Sequence, residues 1–457
     1  MRFKFQIIFI AIFVMVLGRP ALSQMDNTGP LTLDQCVKIA MEKNAQVLIA
    51  KRRVGIAQTS VMTARSAILP RVNSTFSSGQ FRSGPRTIKT DVPVGVDPVT
   101  GAVRYEQREI VQGGVTRDSH SMRFTLNQTI FDFGQSYNNI RSARASKDAA
   151  EYTFEDTRQN IILQVYQRYY QLLKDLRLLE VYQEAVRSSE EQLKRTQSMY
   201  EIGSVAQADV YRAQTTLGQD RINLIQQENA VKNSRAALNV VLGRNADAPL
   251  DIVDIEEVKS PREYKMEEVI KVALQNNPQI HRFKAEMMAA SYGAKAAKAR
   301  YLPAINGSVS YARDNTDINK VYTGYDKNYN ITFGINLSLN LFNGFSDAAA
   351  VERESLNYRI AQENLREQER LLRQNVQTAL LSLQAWKQIS KINQVNLKSA
   401  QEELRLAQER YRVGAGTLLE LITAQVNLTR AKATLVQAKY DTKVAEAVLQ
   451  AAMGMLK

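Results

Sequence analysis

The sequence predicts a mixed, predominantly α-helical fold made by tandem duplication, each half carrying two amphipathic β-strands and a long coiled-coil hairpin. Three observations predict it. Motifs recur in the same order in both halves. Segments of about ten residues alternate between apolar and uncharged polar side chains. Two proline-free runs, 134–248 and 342–457, place apolar residues every seven positions.

The first residues stand apart from the rest. Arg2 and Lys4 precede an apolar run from Ile7 to Leu17, then Gly18, Pro20 and Ala21-Leu22-Ser23. This predicts a secretory signal peptide over 1–23, cleaved after Ser23 and too short to span a bilayer. The only cysteine is Cys36, so neither a lipid-anchored N-terminus nor an intramolecular disulfide is expected. A chain of 457 residues, 44% hydrophobic and 23% charged, has the composition of a packed protein. No later apolar run approaches the roughly 18 residues of a membrane helix, so a membrane-spanning form must be a closed β-barrel. The net charge of +14 is spread among nearly as many acids, which reads as a solvated surface and not a nucleic-acid site.

The duplication is visible residue by residue. LTLDQCVKIAMEKNAQV from Leu31 matches YKMEEVIKVALQNNPQI from Tyr264, and the same offset carries through Ala40/Ala273, Asn44/Asn277 and Pro70/Pro303. A shorter offset holds from Phe131/Phe342 through Tyr200/Tyr411 and Gly203/Gly414 to Gly243/Gly454. The repeats are therefore assigned to 24–248 and 264–457, with a linker at 249–263. The change of offset puts extra residues of the first half in GQFRSGPRTIKTDVPVGVDPVTGAV, read as an elongated loop or hairpin tip.

In NITFGINLSLNLF, Ile331, Phe333, Ile335, Leu337, Leu339 and Leu341 share one face, and Thr332, Gly334, Asn336, Ser338 and Asn340 share the other. MRFTLNQTIF repeats the pattern with Met122, Phe124, Leu126 and Ile130, and shorter candidates run from Val72 to Ser78 and from Ile305 to Tyr311. Strands of about 9 to 11 residues with one apolar and one uncharged polar face suit an outer-membrane barrel. Four such strands cannot close a barrel, since about eight are needed, so several chains must share one.

The helical runs pass through Val165, Leu172, Leu179, Val186 and Leu193, and in the second half through Val376, Leu383, Leu397 and Leu404. Each breaks at a repeated device, YEIGSVAQADV from Tyr200 and YRVGAGTLLEL from Tyr411. Gly203 and Gly414 tolerate the left-handed conformation that ends a helix, so the device is the tip of a hairpin. Asp209 and Glu420 start the returning helices. A carboxylate there is favoured by the helix dipole alone, and a functional role is the other reading. Trp386 and the tyrosines of QVYQRYYQLL lie in helical runs and read as packing residues. An enzyme is not expected, because His120, in the long loop, His281 and Cys36 form no cluster and no phosphate-binding glycine loop is present; no cofactor or metal is expected either.

Taken in order and twice over, the Asn-Pro of LQNNPQI, the YLPAIN and LFNGF flanks of the strands and the two tips resemble the TolC-like outer-membrane efflux proteins over nearly the whole mature chain. The resemblance implies a homotrimer with a twelve-stranded barrel in the outer-membrane lipid, continued by a helical barrel across the periplasm. It implies an exit duct for a tripartite efflux or type I secretion system, fed by an inner-membrane pump through a periplasmic adaptor. Tyr200, Gly203, Ser204, Tyr411, Gly414 and Ala415 are then the adaptor-docking tips. Asp209 and Glu420 are the gate, Glu420 matching an acidic constriction ring. Gly416 stands where the family has a locking arginine, and Thr423 where it has a second acid. The competing reading is a periplasmic coiled-coil adaptor or scaffold without a barrel, which would share the hairpins but not duplicate them around amphipathic strands.

Overall fold

The computed structural model describes residues 29–254 and 264–456. The expected signal peptide, and 255–263 of the expected linker, lie outside the described residues. The two halves share one plan with equal helix lengths. Helices α1 (Leu33–Lys43) and α5 (Met266–Asn276) have 11 residues, and α2 (Ala45–Arg65) and α6 (Pro278–Lys298) have 21. After the strands come α3 (Gln135–Glu201) and α8 (Ser346–Arg412), with 67 residues each, then α4 (Gln207–Val241) and α9 (Leu418–Ala452), with 35. At 1.5 Å per residue α3 and α8 are each about 100 Å long.

The helices form a sheet four wide at every height. Toward the tips the order is α4–α3–α9–α8, and toward the strands it is α2–α3–α6–α8. Helices α3 and α8 run through unbroken, whereas α4 meets α2, and α9 meets α6, end to end. One device makes both joints. Asn44 caps α2 by accepting from the Gln46 backbone N–H at 2.9 Å, and its amide donates to the Val241 carbonyl of α4 at 2.8 Å. Asn277 does the same, accepting from the Gln279 N–H at 2.9 Å and donating to the Ala452 carbonyl at 3.2 Å. Each joint needs glycine at the end of the incoming helix: Gly243 and Gly454 have φ +74° and +70°, and a Cβ on either would lie 2.6 Å from the Lys43 or Asn276 carbonyl oxygen.

Two apolar cores flank these joints. The first contains Cys36, Ala40, Val165, Leu172 and Leu238 together with Tyr169, Tyr170 and Tyr440; the second, with Ala273, Ile280, Val376, Leu380, Leu383 and Leu449, is aliphatic. The first also anchors the ends of its repeat. Leu31 forms a parallel bridge with Ile252, and the Tyr169 hydroxyl lies 2.6 Å from the Val253 carbonyl and 3.2 Å from that of Leu31. Arg177 pairs with Asp254, which also accepts from the Tyr440 hydroxyl. Burial pushes the Cys36 thiol and the Tyr170 and Tyr440 phenols up to about 12, and Tyr169 is raised by the same cause.

The strands are β1 (Arg71–Ser83), β2 (Arg86–Val96), β3 (Val103–Gln112) and β4 (Val115–Phe131) in the first half, then β5 (Ala304–Asn315) and β6 (Asn330–Ser338) in the second. An antiparallel sheet has the order β1-β4-β5-β6. The insertion, expected as an elongated loop or hairpin tip, takes the hairpin form: β1 and β4 pair far beyond the expected strand ends, and β2 and β3 form a separate antiparallel ribbon. His120 accordingly sits in β4 opposite Ser78, not in a loop.

Register fixes two unlike faces. The rows Val72–Leu126–Val309–Phe333 and Ser74–Phe124–Tyr311–Ile331 lie on one side; Asn73–Thr125–Ser310–Thr332 and Arg71–Asn127–Ser308–Gly334 lie on the other. The apolar face ends in aromatic pairs. Tyr311 stacks on Tyr329 at 5.8 Å near the outer end, and Phe131–Phe133 and Phe342–Phe345 lie at 4.7 and 5.5 Å at the end nearest the helices. Arg313 would put a charge on the apolar face, but it is buried under the segment that follows β5. Its Nη2 donates to the carbonyls of Lys320, Thr323 and Gly324 at 2.5, 2.8 and 3.0 Å, and the guanidinium lies 5.3 Å from the Tyr325 ring. Lys320 belongs to the short helix α7 (Ile318–Tyr322).

Candidate gate and channel wall

Both hairpin tips close by the same backbone pattern. At the first, the Ser204 N–H donates to the Met199 carbonyl at 2.8 Å and the Gly203 N–H to that of Tyr200 at 2.9 Å. At the second, Ala415 donates to Arg410 at 2.9 Å and Gly414 to Tyr411 at 3.2 Å. These are Schellman turns, and they require the positive φ of Gly203 (+77°) and Gly414 (+75°).

The side chains around the turns have diverged. Thr417 caps α9, its hydroxyl accepting from the Glu420 N–H at 3.2 Å, whereas Ala206 at the matching place gives α4 no side-chain cap. Glu420 faces Arg410 across the turn at 3.7 Å, and Arg410 also donates to the Ala415 carbonyl at 3.2 Å. Asp209 pairs at 3.1 Å with Arg212 one turn along its own helix. Tyr200 is exposed, while Tyr411 is half-buried against the first hairpin, its hydroxyl 3.6 Å from Met199 Sδ. Burial, then the charge of Asp209, raise the Tyr411 phenol above its ordinary value, with Arg195 opposing.

Sequence reasoning placed both acids in first turns, where they lie, but missed Arg212 and Arg410. Arginines are frequent in these helices, and only the three-dimensional turn shows which reach an acid. Gly416 is confined: a Cβ there would lie 3.1 Å from Arg410 Cβ and 3.2 Å from the Tyr411 nitrogen. Thr423, in the place of a second acid, turns its hydroxyl to the Leu419 carbonyl at 2.8 Å. No group of His, Cys, Asp or Glu able to hold a metal occurs among the described residues.

The wall is the second part of the site. An apolar face bounded by aromatic residues, backed by a face of Asn, Ser and Thr, separates lipid from water when such a sheet closes. Among the described residues no helix is long and apolar enough to cross a membrane. The model of outer membrane efflux proteins matches residues 36–244 and 269–455, taking in both hairpins and all six strands. The chain belongs to the outer membrane efflux protein family. It is similar to the outer membrane protein TolC of Vibrio cholerae, at 22% identity covering 91% of this chain and 89% of that protein. It resembles the outer membrane efflux protein BepC of Brucella suis at 22%, covering 96% and 87%. Among solved structures it superposes on the CusC channel with a TM-score of 0.78 at 19% identity, covering 92% of each chain. Against VceC of Vibrio cholerae the TM-score is 0.75 at 16% identity, covering 92% and 96%. This efflux protein is therefore an outer-membrane channel component extending into the periplasm, and not a scaffold without a barrel.

Proposed function

We propose that three copies of this efflux protein close one barrel and one helical duct, forming the exit of a tripartite efflux or type I secretion system. The observation that carries this is a match of widths: the strand sheet and the helix sheet are both four elements wide. Within the chain β1 and β6 are paired on one side only, and unpaired edges are not tolerated in lipid. Two copies would supply eight strands, about the number whose interior is filled by side chains; three is the smallest number that leaves an open lumen. Cross-linking in outer-membrane fractions tests it: a ladder ending at three subunits is expected, and one ending at two or four overturns it.

The tips are the docking surface for a periplasmic adaptor that links the duct to an inner-membrane pump. Tyr200, Gly203 and Ser204, with Tyr411, Gly414 and Ala415, present a rigid turn at the end of the duct farthest from the strands. Asp209 and Glu420 guard the same mouth. Six carboxylates at a three-fold mouth would favour cations, but each shares its charge with an arginine, which weakens that preference, and opening requires the Arg410–Glu420 contact to part. The β2–β3 ribbon projects from the other end, outside the cell, where an epitope inserted at Gly101 is expected to be labelled on intact cells.

A further inference from the structure

The polar face of the strand sheet carries charges that passage of cargo does not by itself require. Two rows outward from Arg71, the row Thr75–Arg123–Ala312–Asn330 places a second arginine on that face, and Arg117, opposite Phe81, places a third near the outer end. All three are exposed, and none has a hydrogen bond or ion pair among the described residues. The one acid on the same face of the four-stranded ladder is Asp314, in the row next to Arg123, opposite Ser121. On the three-copy reading, Arg71 and Arg123 each become a ring around the lumen, and Arg117, on the stretch of β1 and β4 that runs beyond the ends of β5 and β6, stands at its outer mouth.

The geometry points to an anion-selective exit barrel, in which the rings at Arg71 and Arg123, with Arg117 at the outer mouth, bind multivalent anions in passage. Along a strand rising about 3.4 Å per residue, the four positions from Arg71 to Thr75 and the six from Thr75 to Phe81 measure about 14 and 20 Å, which a strand tilt of about 40° shortens to about 10 and 16 Å along the barrel axis. Those spacings are comparable to the Debye length of about 10 Å at 0.1 M salt, so the arginines act as adjoining positive stations along one path. Guanidinium is suited to this task because it stays charged and meets phosphate or carboxylate oxygens through a planar fork. The tip works against it only weakly, since both of its acids face an arginine.

Single channels in planar bilayers test the inference. In a gradient from 100 to 10 mM KCl, the wild type is expected to pass chloride in preference to potassium. Arg71→Gln/Arg117→Gln/Arg123→Gln is expected to lower that permeability ratio at least fivefold, and Asp314→Asn to raise it. Pyrophosphate added on the ribbon side should block the wild type, with the half-blocking concentration rising at least tenfold in the triple variant. At 1 M salt, where the Debye length is about 3 Å, the differences should shrink. A triple variant that conducts with wild-type selectivity and wild-type pyrophosphate block overturns the inference and leaves the duct standing. A wild-type protein that forms no channel overturns the duct reading itself.

Discussion

The two repeats agree at their joints and disagree at their tips. At the joints, Asn44 and Asn277 make the same pair of hydrogen bonds, and Gly243 and Gly454 face the same backbone contact. At the tips the turns match, yet the cap, the ion pair and the burial of the tyrosine all differ. Where backbone geometry sets the requirement, duplication has left both copies alike. Where neighbours set it they have drifted apart, because α9 packs against α3 along the inside of the sheet while α4 is at its edge. The cores tell the same story: Tyr169 anchors the ends of the first repeat, and Leu380 occupies the matching place in the aliphatic core of the second.

The strongest test of the comparison is Gly243→Val against Gly454→Val. A β-branched residue at positive φ, with a backbone oxygen in the space of its Cβ, should cost about 3 kcal/mol or more at either joint. Denaturant melts of the assembled protein should show similar losses, and a tolerated variant at one joint would break the claimed equivalence. Asn44→Ala and Asn277→Ala should each cost about 1 to 2 kcal/mol, since a cap and a bond to a helix-end carbonyl vanish together.

Alkali should separate the two cores. The folded protein holds the Tyr170 and Tyr440 phenols protonated to about 12, above their ordinary 10.0. Their contribution to stability is therefore complete below pH 10 and is lost as the pH rises through 12. Tyrosinate absorbance should show these phenols ionising last, together with loss of helix around the first core; ionisation near 10 without unfolding would contradict it. The tips should respond least and unequally. Thr417→Ala should lose about 1 kcal/mol, whereas Ala206→Ser should gain up to about 1 kcal/mol by supplying the absent cap. Arg410→Gln should change stability by less than about 1 kcal/mol, its ion pair being exposed, while raising channel conductance more than Arg212→Gln does.

Much of this was legible in the sequence, for reasons that differ by region. Heptad spacing and the absence of proline marked the long helices to within a few residues, and Gly203 and Gly414 marked the turns because few other residues adopt that φ. Strict alternation found the apolar face of β6, although the strand ends at Ser338, short of Leu339 and Leu341. A hairpin tip was one of two readings of the insertion; its strands and their extent were not legible, since they mix charge with apolar residues on both faces. Arg313 gave no signal either: only the folded segment after β5 brings three carbonyls to it. The partners of Asp209 and Glu420 lay beyond reach for the same reason, being set by which arginine the turn swings into range.

The joints also bear on how the duct carries load. Of the four files of helix in each protomer, alternate ones are interrupted at the level of Gly243 and Gly454, while α3 and α8 bridge that level unbroken, much as bricks overlap in a bonded wall. Tension along the duct is carried by covalent backbone in every second file. In the interrupted files the load passes instead through the Asn44 and Asn277 amide bonds and the close backbone contact at Gly243 and Gly454, so each joint couples two helix ends that share no covalent bond.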